Sequence, residues 1–254
     1  MAYRYGERDL ATTDGNLMTQ LTISPRYCGP PDSASPGYVA GQLAKIAHSP
    51  NGTVVTIHTP PPIGRALDID TESSQTGDVH LYDADTLIAS ARPAEPFDAL
   101  VPPVGFEVAE LASAGYPGFT DHPHPACFVC GHERDKGDGL RLFPGRLDDG
   151  TGRTACPWVP DDSALDSSGH VPEEIVWAAL DCPGGWTAEG EAEPQVLGRI
   201  AARVRDVPKP GERCVVMGRS LGSDGRKTYV ATTIYGPDGA ILGQALATWL
   251  TMRD

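Results

Sequence analysis

The stretch Ser35-Pro-Gly-Tyr-Val-Ala-Gly-Gln-Leu-Ala-Lys45 aligns without gaps with a second stretch that has a similar pattern, Val171-Pro-Glu-Glu-Ile-Val-Trp-Ala-Ala-Leu-Asp181. Each copy carries a proline suited to the first helical turn, where its missing N–H costs nothing. Apolar residues then recur at helical spacing, Val39, Leu43 and Ile46 in the first copy and Ile175, Ala179 and Leu180 in the second. Helix breakers follow both copies at 49–52 and 183–185. The two stretches therefore predict two matching helices.

The sequence around each helix is also duplicated. A predicted strand, a proline-rich corner, a second strand and a hairpin follow in the same order, at 53–59, 60–64, 66–71 and 78–92, and again at 196–205, 208–211, 213–219 and 229–251. Strands are predicted before the helices at 16–23, 139–143 and 153–158. This shared order indicates two α+β units, which we place at residues 1–110 and 111–254, with 94–125 connecting them.

Composition narrows the class of protein. The formal net charge of −14 argues against a nucleic-acid surface, which needs clustered basic residues. No apolar stretch approaches the roughly 20 residues that a bilayer span requires. The N-terminal residues lack the apolar core of a signal peptide, so we expect a cytoplasmic protein. Its six cysteines are then expected to be free thiols.

Several strings resemble the thioesterase branch of the hotdog superfamily. They are Cys127-Phe-Val-Cys-Gly131 followed by Gly139-Leu-Arg-Leu-Phe143, the segment from Cys28 to Gly41, and Ala178-Ala-Leu-Asp181. The resemblance spans about residues 16–252. It implies an α+β double hotdog fold, in which each tandem unit wraps a curled antiparallel sheet around a central helix. It also implies an acyl-CoA or acyl-carrier substrate and no cofactor. The family's His-Gly-Gly string before the central helix is absent.

Thioester hydrolysis needs a carboxylate that activates water or attacks directly, and donors that bind the oxyanion. Asp181 lies eight residues beyond Glu173, about 12 Å along its helix, so one helix does not easily present both its first amides and Asp181 to one carbonyl. The resemblance implies antiparallel central helices. Asp181 is therefore expected to face the amides of Gly37 and Tyr38. The alternative for Asp181 is a structural bond to nearby backbone at the end of its helix.

The duplication predicts a second, equivalent location at the other ends of the two helices, which we call the mirror-related location. It combines Lys45, which aligns with Asp181, with Glu173 and Glu174. It lacks a carboxylate at the equivalent position, and two acids would repel an oxyanion. One competent and one degenerate site are therefore predicted.

The remaining substrate contacts are predicted on the helices and on the last strands of the second half. The acyl chain is expected along Val39, Leu43, Trp177 and Leu180 between the two halves. Related double hotdogs place polar residues on the last strands to orient water, which makes Thr228, Gln244 and Thr248 candidates here. The register of these strands is open, and Ala247 is an alternative.

Other chemistries are less well supported. Cys127 and Cys130 have the spacing of metal ligands and are flanked by His122, His124 and His132, but no second ligand pair follows at a fixed spacing, so no metal site is predicted. No thioredoxin-like βαβ pattern surrounds the cysteines, which argues against redox chemistry. No G-x-S-x-G string occurs, which argues against a Ser-His-Asp triad.

Three functions remain open. The leading hypothesis is a thioester hydrolase, and the second is a hotdog module that binds acyl-CoA or another small hydrophobic ligand without cleaving it. A hydratase is the third, since Asp166 and His170 faintly resemble a hydration loop. Association into a homo-oligomer is left open.

Overall fold

The computed structural model describes residues 12–13, 16–17, 19–71, 77–187 and 194–252. The N-terminal residues examined for a signal peptide and part of the strand predicted at 16–23 lie outside this range. Thirteen strands and three α-helices occur in the described residues. None of these helices combines the length and apolar character needed to cross a bilayer.

The strands of the first half surround one helix. A short pair, β1 and β2, comprises Thr12–Thr13 and Asn16–Leu17. Strands β3 to β7 comprise Thr19–Thr22, Thr53–Ile57, Ala66–Asp70, Val79–Asp83 and Thr86–Pro93. Helix α1, Pro36–Ala47, stands between β3 and β4, as predicted. It ends at His48, whose φ of 40° takes the backbone out of the helix.

The second half repeats the pattern. Strands β8 to β13 comprise Gly145–Arg146, Arg153–Trp158, Gln195–Val204, Cys214–Asp224, Lys227–Tyr235 and Ile241–Thr251. Helix α2 is Phe106–Ser113, and helix α3, Glu173–Gly185, precedes β10 as α1 precedes β4.

Eleven strands form one sheet, in the order β3-β5-β6-β7-β4-β10-β13-β12-β11-β9-β8. Apart from the terminal strand β8, the order reads the same from both ends when each strand is matched to its duplicate, β3 with β9, β5 with β11, β6 with β12, β7 with β13 and β4 with β10. All of the pairings are antiparallel, including the central one, in which Val55 lies opposite Ile200. The duplication read from the sequence is therefore a twofold arrangement of the sheet.

Two local predictions were wrong, and one helix was not predicted. Residues 139–143 form no strand, because Gly139 and Arg141 have φ of 115° and 52°, which extended backbone does not allow. Helix α3 continues through Pro183, which lies in its final turn. The predicted connection contains α2, which packs on β8 and β9.

The apolar core is continuous between the halves. One cluster joins both helices to the inner face of the sheet and includes Val39, Leu43, Trp177, Leu180 and Ile200. A second cluster lies under the connection, where Val101 and Ala109 pack against Met217 and Tyr235. The division predicted at 110/111 falls inside α2, and where the two units separate stays a prediction.

Candidate active site

Two glycines on α1 let α3 approach to backbone contact. A Cβ added to Gly37 would lie 2.5 Å from the Cβ of Asp181, and one added to Gly41 would lie 2.5 Å from the Cα of Glu174. Both distances are shorter than real Cβ contacts, so side chains are excluded there. Because Gly37 meets the end of α3 while Gly41 meets its start, the helices run antiparallel.

Asp181 bonds directly to the first free amide of α1. Its Oδ2 accepts the N–H of Gly37 at 2.9 Å, and no part of the residue is exposed. Helix α1 begins at Pro36, so the Gly37 N–H has no partner within the helix and carries the positive end of the dipole. The structure thus brings together Asp181 and Gly37, the two residues that the sequence placed opposite each other.

The environment of Asp181 favours its neutral form. Burial raises the pKa of the carboxyl to about 8, the hydrogen bond from Gly37 opposes this rise, and nearby Cys127 adds to it. Burial thus favours the protonated form of Asp181 over its carboxylate. A buried carboxyl with a displaced pKa and a specific donor is a candidate for a functional group.

Two buried oxygens at this location have no hydrogen-bond partner. They are Oδ1 of Asp181 and Oγ of Ser35, the residue that precedes α1. The Ser35 hydroxyl makes no capping bond to the helix, although serine commonly does so. Sequence reasoning missed Ser35, and its position directly before the Pro-Gly helix start was the available signal.

Tyr38 follows Gly37 in the first turn of α1. It is the third residue of α1, so its N–H also lacks a partner four residues earlier in the helix. Its ring stacks on Tyr27 with centroids 4.0 Å apart, and its hydroxyl accepts a hydrogen bond from Gln42. Burial raises the pKa of the Tyr38 hydroxyl far above its ordinary value, so the group stays neutral.

Three cysteines lie beside Asp181. Cys182 follows it on α3, and its Sγ lies 3.8 Å from that of Cys127. Cys130 completes the group, since the three sulfurs all lie within 4.8 Å of one another. Hydrogen bonds from the Cys130 and Cys182 thiols lower the pKa of Cys127. Sequence reasoning paired Cys127 with Cys130 but missed Cys182.

The four apolar residues predicted to hold an acyl chain are all in the closed core. Val39, Leu43, Trp177 and Leu180 are at most 1% exposed. They line the contact between α1, α3 and the sheet. Their role with a ligand stays a prediction.

The polar strand residues are not brought to Asp181. On β13, Gly243 faces Leu180 of α3, so strict alternation turns Gln244 and Thr248 to the opposite face of the sheet. Gln244 there accepts the N–H of Ala99 at 3.2 Å. The Thr228 hydroxyl instead accepts a hydrogen bond from Gln195 at 3.1 Å.

The mirror-related location holds an ion pair. Lys45 Nζ lies 3.0 Å from Glu174 Oε2 and 3.1 Å from Oε1, and Gln42 donates to the same carboxylate. Glu173 accepts a hydrogen bond from the indole of Trp177. The mirror-related location thus contains an ion pair between two side chains, whereas the location at Asp181 contains a hydrogen bond from a backbone amide to a carboxyl group.

His122, Asp166 and His170 have local partners. His122 bonds to the carbonyl of Cys130 and accepts the His124 N–H through its ring. Asp166 closes an exposed turn by accepting the N–H groups of Ser168 and His170. This turn explains the Asp166–His170 spacing without a hydration loop.

Comparison with known proteins identifies the fold. No protein-family model and no curated protein matches the chain. Solved structures do match the chain, among them three that align with 96% of it. A hotdog-fold protein of unknown function from Alicyclobacillus acidocaldarius has a TM-score of 0.61 at 11% identity and is covered over 96% of its length.

The second is the TesB protein of Mycobacterium avium subsp. paratuberculosis, with a TM-score of 0.60 at 11% identity and 96% of that chain covered. The third, provisionally named a thioesterase, is from Novosphingobium aromaticivorans, with a TM-score of 0.58 at 15% identity and 98% covered. At these identities the likeness establishes the fold, and the chain is a double hotdog with an open sheet.

Proposed function

We propose that this double hotdog protein is a thioester hydrolase for acyl-CoA or acyl-carrier substrates, with Asp181 as its catalytic carboxylate. The observation that carries the proposal is the 2.9 Å contact between Asp181 and the N–H of Gly37. A carboxyl group and free helix amides are the two components that hydrolysis needs. Two of the structures that share the fold carry the names TesB and thioesterase, which supports the same class.

In the proposed reaction the thioester oxygen takes the position at the Gly37 amide that Asp181 Oδ2 holds in the free protein. The amides of Gly37 and Tyr38 then meet the oxyanion, a contribution of roughly 3–4 kcal/mol for one donor in a preorganised site. Asp181 in its ionised form accepts a proton from water as the water oxygen bonds to the carbonyl carbon. The carbon–sulfur bond breaks, and the thiolate takes that proton from Asp181.

The two unpaired oxygens support this assignment. Oδ1 of Asp181 has no partner in the free protein, so it retains the capacity to accept a hydrogen bond from water when the thioester oxygen displaces Oδ2 from the Gly37 amide. The buried hydroxyl of Ser35 adds a donor next to the same helix start.

A non-catalytic binding module is the second candidate. The complete burial of Asp181 and its bond to Gly37 also suit a carboxyl that simply caps α1. The Lys45–Glu174 pair shows that the other half has no such group at the matching place. In this case the fold would hold a hydrophobic ligand between its halves without cleaving it.

The two candidates are separated by turnover and binding. Purified protein is mixed with a panel of acyl-CoA thioesters and a thiol reagent that detects free coenzyme A. We expect hydrolysis by the wild type and a loss of at least about 10²-fold in Asp181→Asn, because the amide keeps an acceptor for Gly37 but is no base. Thermal unfolding checks that this variant stays folded.

Asp166→Asn is the matched control, because it changes an exposed aspartate in a surface turn and is expected to keep full activity. Full turnover by Asp181→Asn would contradict the catalytic role. Saturable acyl-CoA binding by a wild type that hydrolyses no thioester would select the binding module.

A further inference from the structure

The three cysteines beside Asp181 converge from two distant parts of the chain. Cys127 and Cys130 belong to a turn, whereas Cys182 belongs to α3, 55 residues after Cys127. Their sulfurs lie within 4.8 Å of one another, and the residues are only 4%, 4% and 9% exposed. Among the described residues, no other trio of cysteine, histidine or acidic side chains is gathered so closely.

We propose that Cys127, Cys130 and Cys182 bind a zinc ion as thiolates, a site that goes beyond the proposed hydrolase activity. Zinc holds thiolates at about 2.3 Å, which places two sulfurs of a tetrahedral site about 3.8 Å apart. The Cys127–Cys182 distance is 3.8 Å. The third sulfur needs to move by no more than about 1 Å to complete the same triangle, given the 4.8 Å limit.

The turn that carries Cys127 and Cys130 is shaped for this purpose. The backbone N–H groups of Val129 and Cys130 are directed at the Cys127 sulfur. The turn closes through the Gly131 N–H on the Cys127 carbonyl at 2.9 Å. A Cβ at Gly131 would lie 2.5 Å from three backbone atoms of this turn, so glycine is required.

A histidine with unpaired ring nitrogens lies in the same turn as Cys127. Both ring nitrogens of His124 are buried and have no hydrogen-bond partner. The ring lies within electrostatic range of Cys127, three residues along the same turn. A neutral imidazole with free nitrogens is a suitable fourth ligand for zinc.

Two simpler explanations for the group of three cysteines fit these observations less well. Buried cysteines can act as small apolar groups, as Cys156 and Cys214 do. That role requires neither the convergence of three sulfurs nor N–H groups directed at one of them. A disulfide would need two sulfurs at about 2.05 Å, and the Cys127–Cys182 distance is nearly twice that value.

The test measures metal rather than turnover, so it is independent of the proposed hydrolase. The full-length protein is produced in medium with added Zn²⁺, dialysed and analysed for metal. We expect about one zinc per chain, lost in Cys182→Ser and Cys127→Ser. Cys156→Ser removes a buried thiol outside the group and is expected to keep the metal.

A second measurement covers the case that the cysteine variants fail to fold. Wild-type protein freed of zinc is titrated with Co²⁺, and the thiolate-to-cobalt charge-transfer band is recorded. A stoichiometric band that Zn²⁺ abolishes supports the site. Wild-type protein without zinc and without this band overturns it, as does a folded Cys182→Ser that retains its zinc. A Cys127–Cys182 disulfide in place of bound metal also overturns it.

Discussion

At Gly37 the absence of a side chain determines how closely the two helices approach. In Gly37→Ala the new Cβ would meet Asp181 Cβ at 2.5 Å, its Oδ2 at 2.9 Å and the Trp177 carbonyl at 3.0 Å. We expect a loss of about 1–3 kcal/mol in the free energy of unfolding, the usual cost of overpacking. The shift of Asp181 away from the amide should also abolish any turnover. Urea unfolding followed by tryptophan fluorescence measures the first effect.

Gly105→Ala is the control for this prediction. Gly105 precedes α2 with φ of −65°, and a Cβ there would have no neighbour closer than 4.0 Å. We expect its effect on stability to stay within about 0.5 kcal/mol, as for most surface substitutions. Equal midpoints for the wild type and Gly37→Ala would show that the helices can separate without cost.

At the scale of single residues, the sequence predicted one pairing and missed others. The alignment of two helices and their antiparallel packing were enough to place Asp181 opposite Gly37. The positions of Gln244 and Thr248 could not be predicted, because alternation along a strand gives two faces but does not say which one meets the helix. The gathering of Cys182 with Cys127 was missed because it depends on folding over a long separation.

At the scale of elements, the ion pair between the helices replaces a second copy of the Asp181 contact. Glu174 is buried, so it depends on Lys45 for a counter-charge. We expect Lys45→Met to lower stability by about 1–3 kcal/mol. This is less than the roughly 3–5 kcal/mol for a fully buried pair, because the Lys45 side chain is 45% exposed and water screens the pair.

The double variant Lys45→Met/Glu174→Gln should recover part of this loss, because it leaves no charge without a partner. Arg65→Met breaks a more exposed pair with Asp83 and is expected to cost less than about 1 kcal/mol. The wild type and these three variants are compared by urea unfolding. A Lys45→Met variant no less stable than Arg65→Met would refute the importance of the inter-helix pair.

The connection between the halves is fastened to the outer face of the sheet by Thr233. Its hydroxyl accepts the Val101 N–H at 2.9 Å and donates to the Ala99 carbonyl at 3.1 Å. Thr233→Val keeps the shape but leaves both backbone groups unpaired. We expect a loss of about 1–3 kcal/mol and faster amide exchange at 99–101.

Thr232 supplies a matched control on the same strand. It is as buried as Thr233, but it faces α3 and its hydroxyl has no partner. Thr232→Val removes only an unpaired polar group, so we expect stability to be unchanged or slightly raised. The prediction fails if both variants lose the same free energy of unfolding.

The elements themselves were predicted with different success. Strands with clear β-branched runs, such as β4 and β10, were placed to within two residues at each end. The segment 139–143 looked like a strand, yet its backbone leaves the extended region at Gly139 and Arg141. Helix α2 was missed because the proline-rich residues around it indicate a plain connection, whereas its stability comes from packing on β8 and β9.

At the scale of the whole molecule, the duplicated halves form one structural unit. Strands β4 and β10 pair at the centre of the sheet, and both helices belong to one apolar cluster. Separating the halves would expose this face and leave two strand edges unpaired. We therefore expect that the two halves do not behave as independent domains, and the division at 110/111 stays a prediction from the sequence.

We expect both halves to unfold in one transition. All four tryptophans, at positions 158, 177, 186 and 249, lie in the second half, so their fluorescence reports that half alone. Hydrogen exchange at residues 53–71 and 79–93, measured by mass spectrometry, reports the unfolding of the first half. Because the central strands and the contacts of Asp181 and Glu174 link the halves, the two probes should give the same urea midpoint. Loss of protection in the first half at a clearly lower urea concentration would mean that the shared core contributes little, and that each half carries its own stability.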